Sequence, residues 1–207
     1  KALDTARAYK QSMLQKMFPQ KGEKVPRVRF AGFSGDWEQR RLSDIVKINP
    51  SAQLPMTFKY VDLESVKGHI LMNVRKEFRE TAPSRAQRVA IKNDIFYQTV
   101  RPYQRNNYLF DLEDDDYVFS TGYAQLRPKK IIISLFLFSV IQTVEFLRKV
   151  LIRCTGTSYP AINSTDLGEI NISFPSLKEQ TAIGNFFQKL DQQIEQQAQK
   201  LATYQQL

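Results

Sequence analysis

Arginine and amide side chains crowd one short segment, Gln98-Thr99-Val100-Arg101-Pro102-Tyr103-Gln104-Arg105-Asn106-Asn107. Arginine carries a planar fork that matches phosphate oxygens and the edge of guanine. Asn and Gln can grip adenine by two hydrogen bonds in the same way. Pro102 stiffens the segment. An ordinary basic surface loop has the same composition, so residue types alone leave both readings open. A second stretch, Thr155-Gly156-Thr157-Ser158-Tyr159-Pro160-Ala161-Ile162-Asn163, sets hydroxyls beside a flexible glycine. Such groups position phosphates without reading sequence, and Gly156 also suits the end of a helix.

Other chemistries lack their residues. No glycine-rich phosphate loop followed by Lys-Ser/Thr occurs, and no dinucleotide fingerprint. One histidine, His69, and one cysteine, Cys154, cannot make a zinc site. A lone cysteine also forms no internal disulfide and fits a reducing cytoplasm, with Cys154 expected to be buried and inert. The acidic run Asp111, Glu113, Asp114, Asp115 and Asp116 lacks the spacing of a calcium loop and reads as a solvated turn. With 30 Lys and Arg against 21 Asp and Glu, the net charge is +9. That excess favours a polyanion, with nucleic acid ahead of a membrane surface.

The elements that must hold these loops are helical at both ends and strand-rich between. A helix is predicted over 2–17, with Leu3, Ala6, Met13, Leu14 and Met17 on one side. Pro19, Gly22, Pro26, Gly32 and Gly35 make 19–35 an extended linker. Leu42, Ile45 and Val46 fit a short helix. Strands are expected at 58–63 and 70–74, separated by Lys67-Gly68, and again at 95–100 after an Asn93-Asp94 turn. Alternation predicts further strands through Tyr108, Phe110 and Leu112, through Tyr117 and Phe119, and through Ile170, Ile172 and Phe174, and 123–127 is expected to add another. The apolar run from Ile131 is too short to span a membrane, and charges follow it; one buried helix over about 131–151 is expected. Lys1 to Phe18 has no signal-peptide core.

The closing helix, about 177–206, carries an apolar seam. Ile183, Leu190 and Tyr204 lie at multiples of seven, and Phe187, Ile194 and Leu201 fall four residues after such positions. Gln197 falls on that seam, and eight glutamines between 188 and 206 occupy mostly the other faces. A narrow stripe with wide polar faces predicts a projecting helix that packs along another, with Ile183, Phe187, Leu190, Ile194 and Leu201 as its assembly face.

Several motifs, in order along the chain, resemble specificity subunits of type I restriction–modification systems. They are Met17-Phe18-Pro19, Gly35-Asp36-Trp37-Glu38, Tyr60-Val61-Asp62-Leu63, Thr99-Val100-Arg101-Pro102, Ser120-Thr121-Gly122-Tyr123 with Leu126-Arg127-Pro128, Gly156 to Asn163, and Pro175-Ser176-Leu177-Lys178-Glu179-Gln180 with Leu190-Asp191. Asn93 stands where the family often has glycine, and asparagine tolerates the left-handed turn.

The resemblance implies an α+β fold: a mixed, strand-rich target recognition domain with a long C-terminal helix in an antiparallel coiled-coil spacer. Residues 1–18 correspond to the end of the central spacer helix, 19–35 to a linker, 36–175 to the recognition domain and 176–207 to the distal helix. It implies a non-catalytic cytoplasmic subunit that reads one half of a bipartite site in double-stranded DNA. It would dock methyltransferase subunits and, through them, restriction subunits. S-adenosylmethionine, ATP and Mg belong on those partners, and this chain binds no cofactor or metal. One recognition domain corresponds to the C-terminal half of a subunit or to a half-length form, which could rebuild the two-domain arrangement as a homodimer through its helices.

Candidate DNA contacts are Gln98, Arg101, Tyr103, Gln104, Arg105 and Asn106. Thr157, Ser158 and Tyr159 are candidate phosphate positioners, with Lys67, Arg75 and Lys76 as electrostatic support. The rival readings are a protein–protein adaptor that never touches DNA and the reading end of a fused methyltransferase.

Overall fold

A computed structural model describes residues 2–205, with side chains through 203. Helix α1 spans Ala2–Lys16. Strand β1 (Glu38–Arg41) leads into the four-residue helix α2 (Leu42–Ile45) and strand β2 (Val46–Ile48). Next come β3 (Thr57–Val61), β4 (Val66–Lys67), β5 (Ile70–Leu71), β6 (Arg75–Phe78), β7 (Ala86–Val89) and β8 (Ile95–Gln98). A 3-10 turn at Pro102–Gln104 precedes β9 (Tyr108–Leu109), β10 (Tyr117–Ser120) and β11 (Tyr123–Pro128). The chain closes with α3 (Ser134–Ile141), α4 (Val144–Leu151), α5 (Ser164–Gly168), β12 (Asn171–Phe174) and α6 (Leu177–Gln205).

Two four-stranded sheets, ordered β2-β11-β8-β9 and β6-β3-β10-β7, form the head. The β10–β3 pair is parallel and the other pairs are antiparallel. Strand β8 shows how the layers arise. Side chains alternate across a strand, so Ile95 and Tyr97 enter the core shared with the helices while Phe96 enters the core between the sheets. There Phe96 stacks on Phe119 of the second sheet at 3.5 Å, and Tyr123 meets Phe119 edge-on at 5.6 Å. Both faces are covered, which is why 95–98 is nearly continuous in large apolar residues. The Asn93-Asp94 turn forms as expected, with Asn93 left-handed at φ 74°. Asp94, 1% exposed, takes a two-point grip from Arg127 at 2.8 Å and a further bond from Gln125 at 2.6 Å.

Several expectations are corrected. The predicted helix over 131–151 is two helices. Thr143 leaves the helix to cap α4, its hydroxyl accepting from Phe146 N at 3.1 Å, because a capping side chain satisfies the first free N–H groups. The strand expected at 70–74 is only Ile70–Leu71, which Gly68 turns into a hairpin with β4, and β3 pairs with β6. Residues 19–35 are irregular but docked. Arg29 grips buried Glu179 at 2.7 and 2.8 Å, and Phe30 meets Phe186 at 5.8 Å.

The closing helix is not free along its length. Ile183 and Phe187 are buried in the protein's own core, with Phe187 and Phe136 each 5.7 Å from Phe18. They are core residues and not an assembly face. Beyond them α1 runs antiparallel to α6, as the Lys10–Asp191 and Phe18–Phe187 contacts show. Leu190, Ile194 and Ala198 are half-buried on that side, whereas Gln197 and Leu201 are exposed. A straight helix of 3.6 residues per turn drifts off a strict seven-residue repeat, which moves the seam from 197 to 198. Tyr204 lies outside the residues whose side chains are described.

Gly184 marks the closest approach of α6 to α3. A Cβ there would sit 2.7 Å from Leu135 Cβ and 3.0 Å from Phe136 N. Gly184→Ala is expected to cost about 1–3 kcal/mol through overpacking, despite alanine's better helix propensity. Urea unfolding of the chain measures it; a stabilised variant would contradict the packing.

Candidate nucleic-acid interface

The two loops picked out by residue type meet at one end of the head. Val100 and Thr155 both bridge to Ala161. Arg101 N donates to Pro160 O at 2.8 Å, and Ile162 N donates to Thr99 O at 3.1 Å. Gly156 has φ 87°, and a Cβ would lie 3.0 Å from Tyr159 O, so the turn needs glycine on two counts. Across the join, the Arg101 guanidinium stands 4.3 Å from the Tyr159 ring centre. Such stacking is worth roughly 0.5–2 kcal/mol and orders a long side chain in advance of any ligand.

Between Arg101 and Arg105 the backbone folds into the 3-10 turn, which rests on α4. Both arginines are left-handed, at φ 53° and 57°, an uncommon conformation for residues with a Cβ. Tyr103 is 50% exposed and Tyr159 63% exposed. With Gln104, Thr157 and Ser158 they form an open polar and aromatic surface carrying Arg101 and Arg105.

A third segment joins this surface. Gly68 N donates to Asn106 Oδ1 at 2.9 Å, which sets the β4–β5 hairpin and exposed Lys67 beside the loop. His69 follows, its Nδ1 3.1 Å from Asn107 O. A carbonyl accepts only, so Nδ1 carries the proton. The ring meets Phe138 edge-on at 5.1 Å. Below it, buried Lys10 donates to Gln142 Oε1 and to the Asp191 carboxylate. Burial first, and repulsion from Lys10 second, hold the His69 pKa below its ordinary value. Asp191, Gln142 and Asn107 pull the other way.

Not every predicted residue belongs here. Gln98 is 1% exposed and cannot touch a duplex; its amide is spent within the loop. Arg75 and Lys76 lie on β6 of the other sheet. Arg75 pairs with Asp62 at 3.3 Å and stands over Tyr60, and Lys76 stands over Phe78. No bond or ring contact among the described residues ties them to the loop pair. The acidic turn pairs with Lys59 and Lys92 instead of gathering round a cation. Cys154 is half-buried, and burial pushes its thiol up, which disfavours the reactive thiolate. Sequence reasoning missed Asn107 and His69 as supports. The adjacent pair Asn106-Asn107 was the available signal, since neighbouring residues on extended chain face opposite ways.

An α+β head that carries a cationic loop pair and is rooted on an antiparallel helix pair has the build of a recognition subunit. The comparisons with known proteins agree. Residues 34–203 match the family described as "Type I restriction modification DNA specificity domain", and the chain belongs to that family. A curated relative, the type I restriction enzyme HindI specificity subunit of Haemophilus influenzae, is 25% identical over 181 residues, covering 83% of this chain and 39% of the relative. The crystal structure of the HsdS subunit from Thermoanaerobacter tengcongensis is 26% identical with a TM-score of 0.65, covering 82% of this chain and 46% of that one. A chain from a structural study of complex assembly and conformational transition of the type I restriction–modification system gives 0.69 at 25% identity, with the same coverage. The chain therefore spans less than half the length of these relatives. Relatives named as specificity subunits accord with a non-catalytic role.

His69 is the one histidine in the sequence. Its lowered pKa means that below about pH 6.5 the unfolded chain gains a proton that the folded chain refuses. Stability should be full above that pH and fall as pH drops from 6.5 toward 5.5, by at most about 1.4 kcal/mol per pH unit. Urea unfolding at the two pH values checks it: the loss should shrink in His69→Gln. An equal loss in both proteins would assign the slope elsewhere.

Proposed function

We propose that this chain is the part of a type I restriction–modification specificity subunit that reads one half of a bipartite site in double-stranded DNA. The observation that carries the reading is the Arg101–Tyr159 contact, which locks two polar loops into one outward surface. Arg101, Arg105 and Gln104 are the base-reading candidates, and Tyr103 and Asn106 flank them. Thr157, Ser158 and Tyr159 set the phosphate register, and Lys67 adds charge from the hairpin. The net charge of +9 favours approach to a polyanion at long range. Arg75 and Lys76 are left to this general field.

The helical arm serves assembly. Tyr9 and Leu201 are 49% and 47% exposed on it, where a methyltransferase subunit can pack, with restriction subunits joining indirectly. The same arm would let two copies of a half-length chain associate. Residues 36–175 act as the recognition domain, and 1–18 with 176–207 as the spacer. S-adenosylmethionine, ATP and Mg are the partners' cofactors, and the complex works in the cytoplasm. Among the described residues no helix is long and apolar enough to cross a membrane, and no His, Cys, Asp and Glu cluster is placed to hold a metal.

Arg101→Ala in the assembled complex should weaken binding to a duplex carrying the motif that the complex methylates by at least ~1 kcal/mol. Wild-type affinity should also fall steeply with salt, since phosphate contacts release counterions. Fluorescence anisotropy across a salt series measures both. Flat salt dependence with an unchanged variant would favour a protein–protein adaptor. Leu201→Asp, by contrast, should lower methyltransferase co-purification while the circular dichroism spectrum stays unchanged. Intact assembly would remove the end of α6 from the docking face.

A further inference from the structure

Two amide side chains that DNA cannot reach are spent on shaping the loop that faces it. Gln98 and Asn107 are 1% and 2% exposed. Asn107 Oδ1 accepts from the Gln98 backbone N–H at 2.8 Å. Gln98 Oε1 accepts from Asn106 N at 3.1 Å, and its Nε2 donates to Gln104 Oε1 at 2.7 Å. The C-terminal side of the turn that holds Arg101 and Arg105 is thus tied, at Gln104 and Asn106, to one buried side chain. Arg101 sits at φ 53°, ψ 54° and Arg105 at φ 57°, ψ 32°. Left-handed residues with a Cβ persist only where surrounding bonds over-determine them. Here those bonds come from Gln98 at the C-terminal side, and from the Pro160 carbonyl and the Tyr159 ring at the N-terminal side.

We infer that Gln98, supported by Asn107, is a positioning residue that sets the direction of the Arg105 side chain within the surface it shares with Arg101. The inference rests on the DNA-reading assignment of this loop. If the clasp is cut, Arg105 returns to an ordinary backbone region and its guanidinium leaves the shared surface, while Arg101 keeps the Pro160 carbonyl and the Tyr159 ring. Gln104 is redirected as well, because its carbonyl oxygen no longer has a donor beneath it. Leucine at this site would fill a similar volume and remove both polar atoms. Glutamate would keep an acceptor for Asn106 N, and exposed Gln104 can turn its amide to donate to the other oxygen.

The test uses the specificity subunit containing this chain, assembled with its methyltransferase subunits. Its probe is a duplex carrying the motif that the wild-type complex methylates. Affinity is measured where circular dichroism shows every variant folded. Gln98→Leu should lower affinity roughly tenfold or more, because a loosened support displaces the contacts above it. Gln98→Glu should recover most of that loss, as only the hydrogen-bonding pattern is restored. A role in core packing predicts the reverse order, with leucine tolerated and the carboxylate harmful. That order, or wild-type binding by Gln98→Leu, overturns the inference. Arg101→Ala run alongside separates the two levels. If it binds like wild type, the DNA-reading assignment has failed; if it weakens while Gln98→Leu does not, only the positioning role falls.

Discussion

The close approach of α6 to α3 at Gly184 is the constraint on which the rest of the molecule depends. Helices normally keep 8–10 Å between axes, set by the side chains at the crossing, and glycine removes that spacer. Phe187 and Ile183 thereby reach the core built by Phe18, Trp37 and Phe136. Arm and head then share one apolar interior. An arm rooted this way cannot swing on its base without opening the core, so whatever packs on its far end is held in fixed relation to the loops on the head.

A polar path follows the same route. It runs from Gln104 and Gln98 to Asn107, from the Asn107 carbonyl to His69, and from the His69 surroundings to Lys10, Gln142 and Asp191. Each buried group in it has a partner, as burial requires. Surface ion pairs such as Arg40–Glu38 and Arg41–Glu169 contribute little by comparison, because water screens them. What makes the loop pair a usable surface is its rigidity more than its charge. Arg101 is held by a ring and a carbonyl of the protein itself, so its side chain has little freedom left to lose.

Much of this was legible in the chain. Alternation placed β10 and β12, and the Asn-Asp turn followed by an apolar run placed β8, because apolar patterning and turn residues are local signals. Strands β1, β6 and β7 went unseen: Glu38–Arg41 and Arg75–Phe78 are short, charged and largely solvated, and Ala86–Val89 is a four-residue strand whose one large apolar residue is Val89. The same charge made Arg75 and Lys76 look like part of the loop surface. Gln98 was assigned to the surface for the same kind of reason, since an amide beside arginines has the composition of a contact whether it faces out or in.

By itself, the order of residues determined the family, the class of fold and the two polar loops, because these depend on residue types, periodicity and motifs in series. Only the tertiary structure decided which amide lies on the surface and which holds the loop from beneath, that Ile183 and Phe187 belong to the core, and that Ala198 replaces Gln197 on the seam. Those outcomes turn on which side of a strand or helix is covered. Coverage is set by segments a hundred or more residues away, such as Phe18 against Phe187 and Arg29 against Glu179.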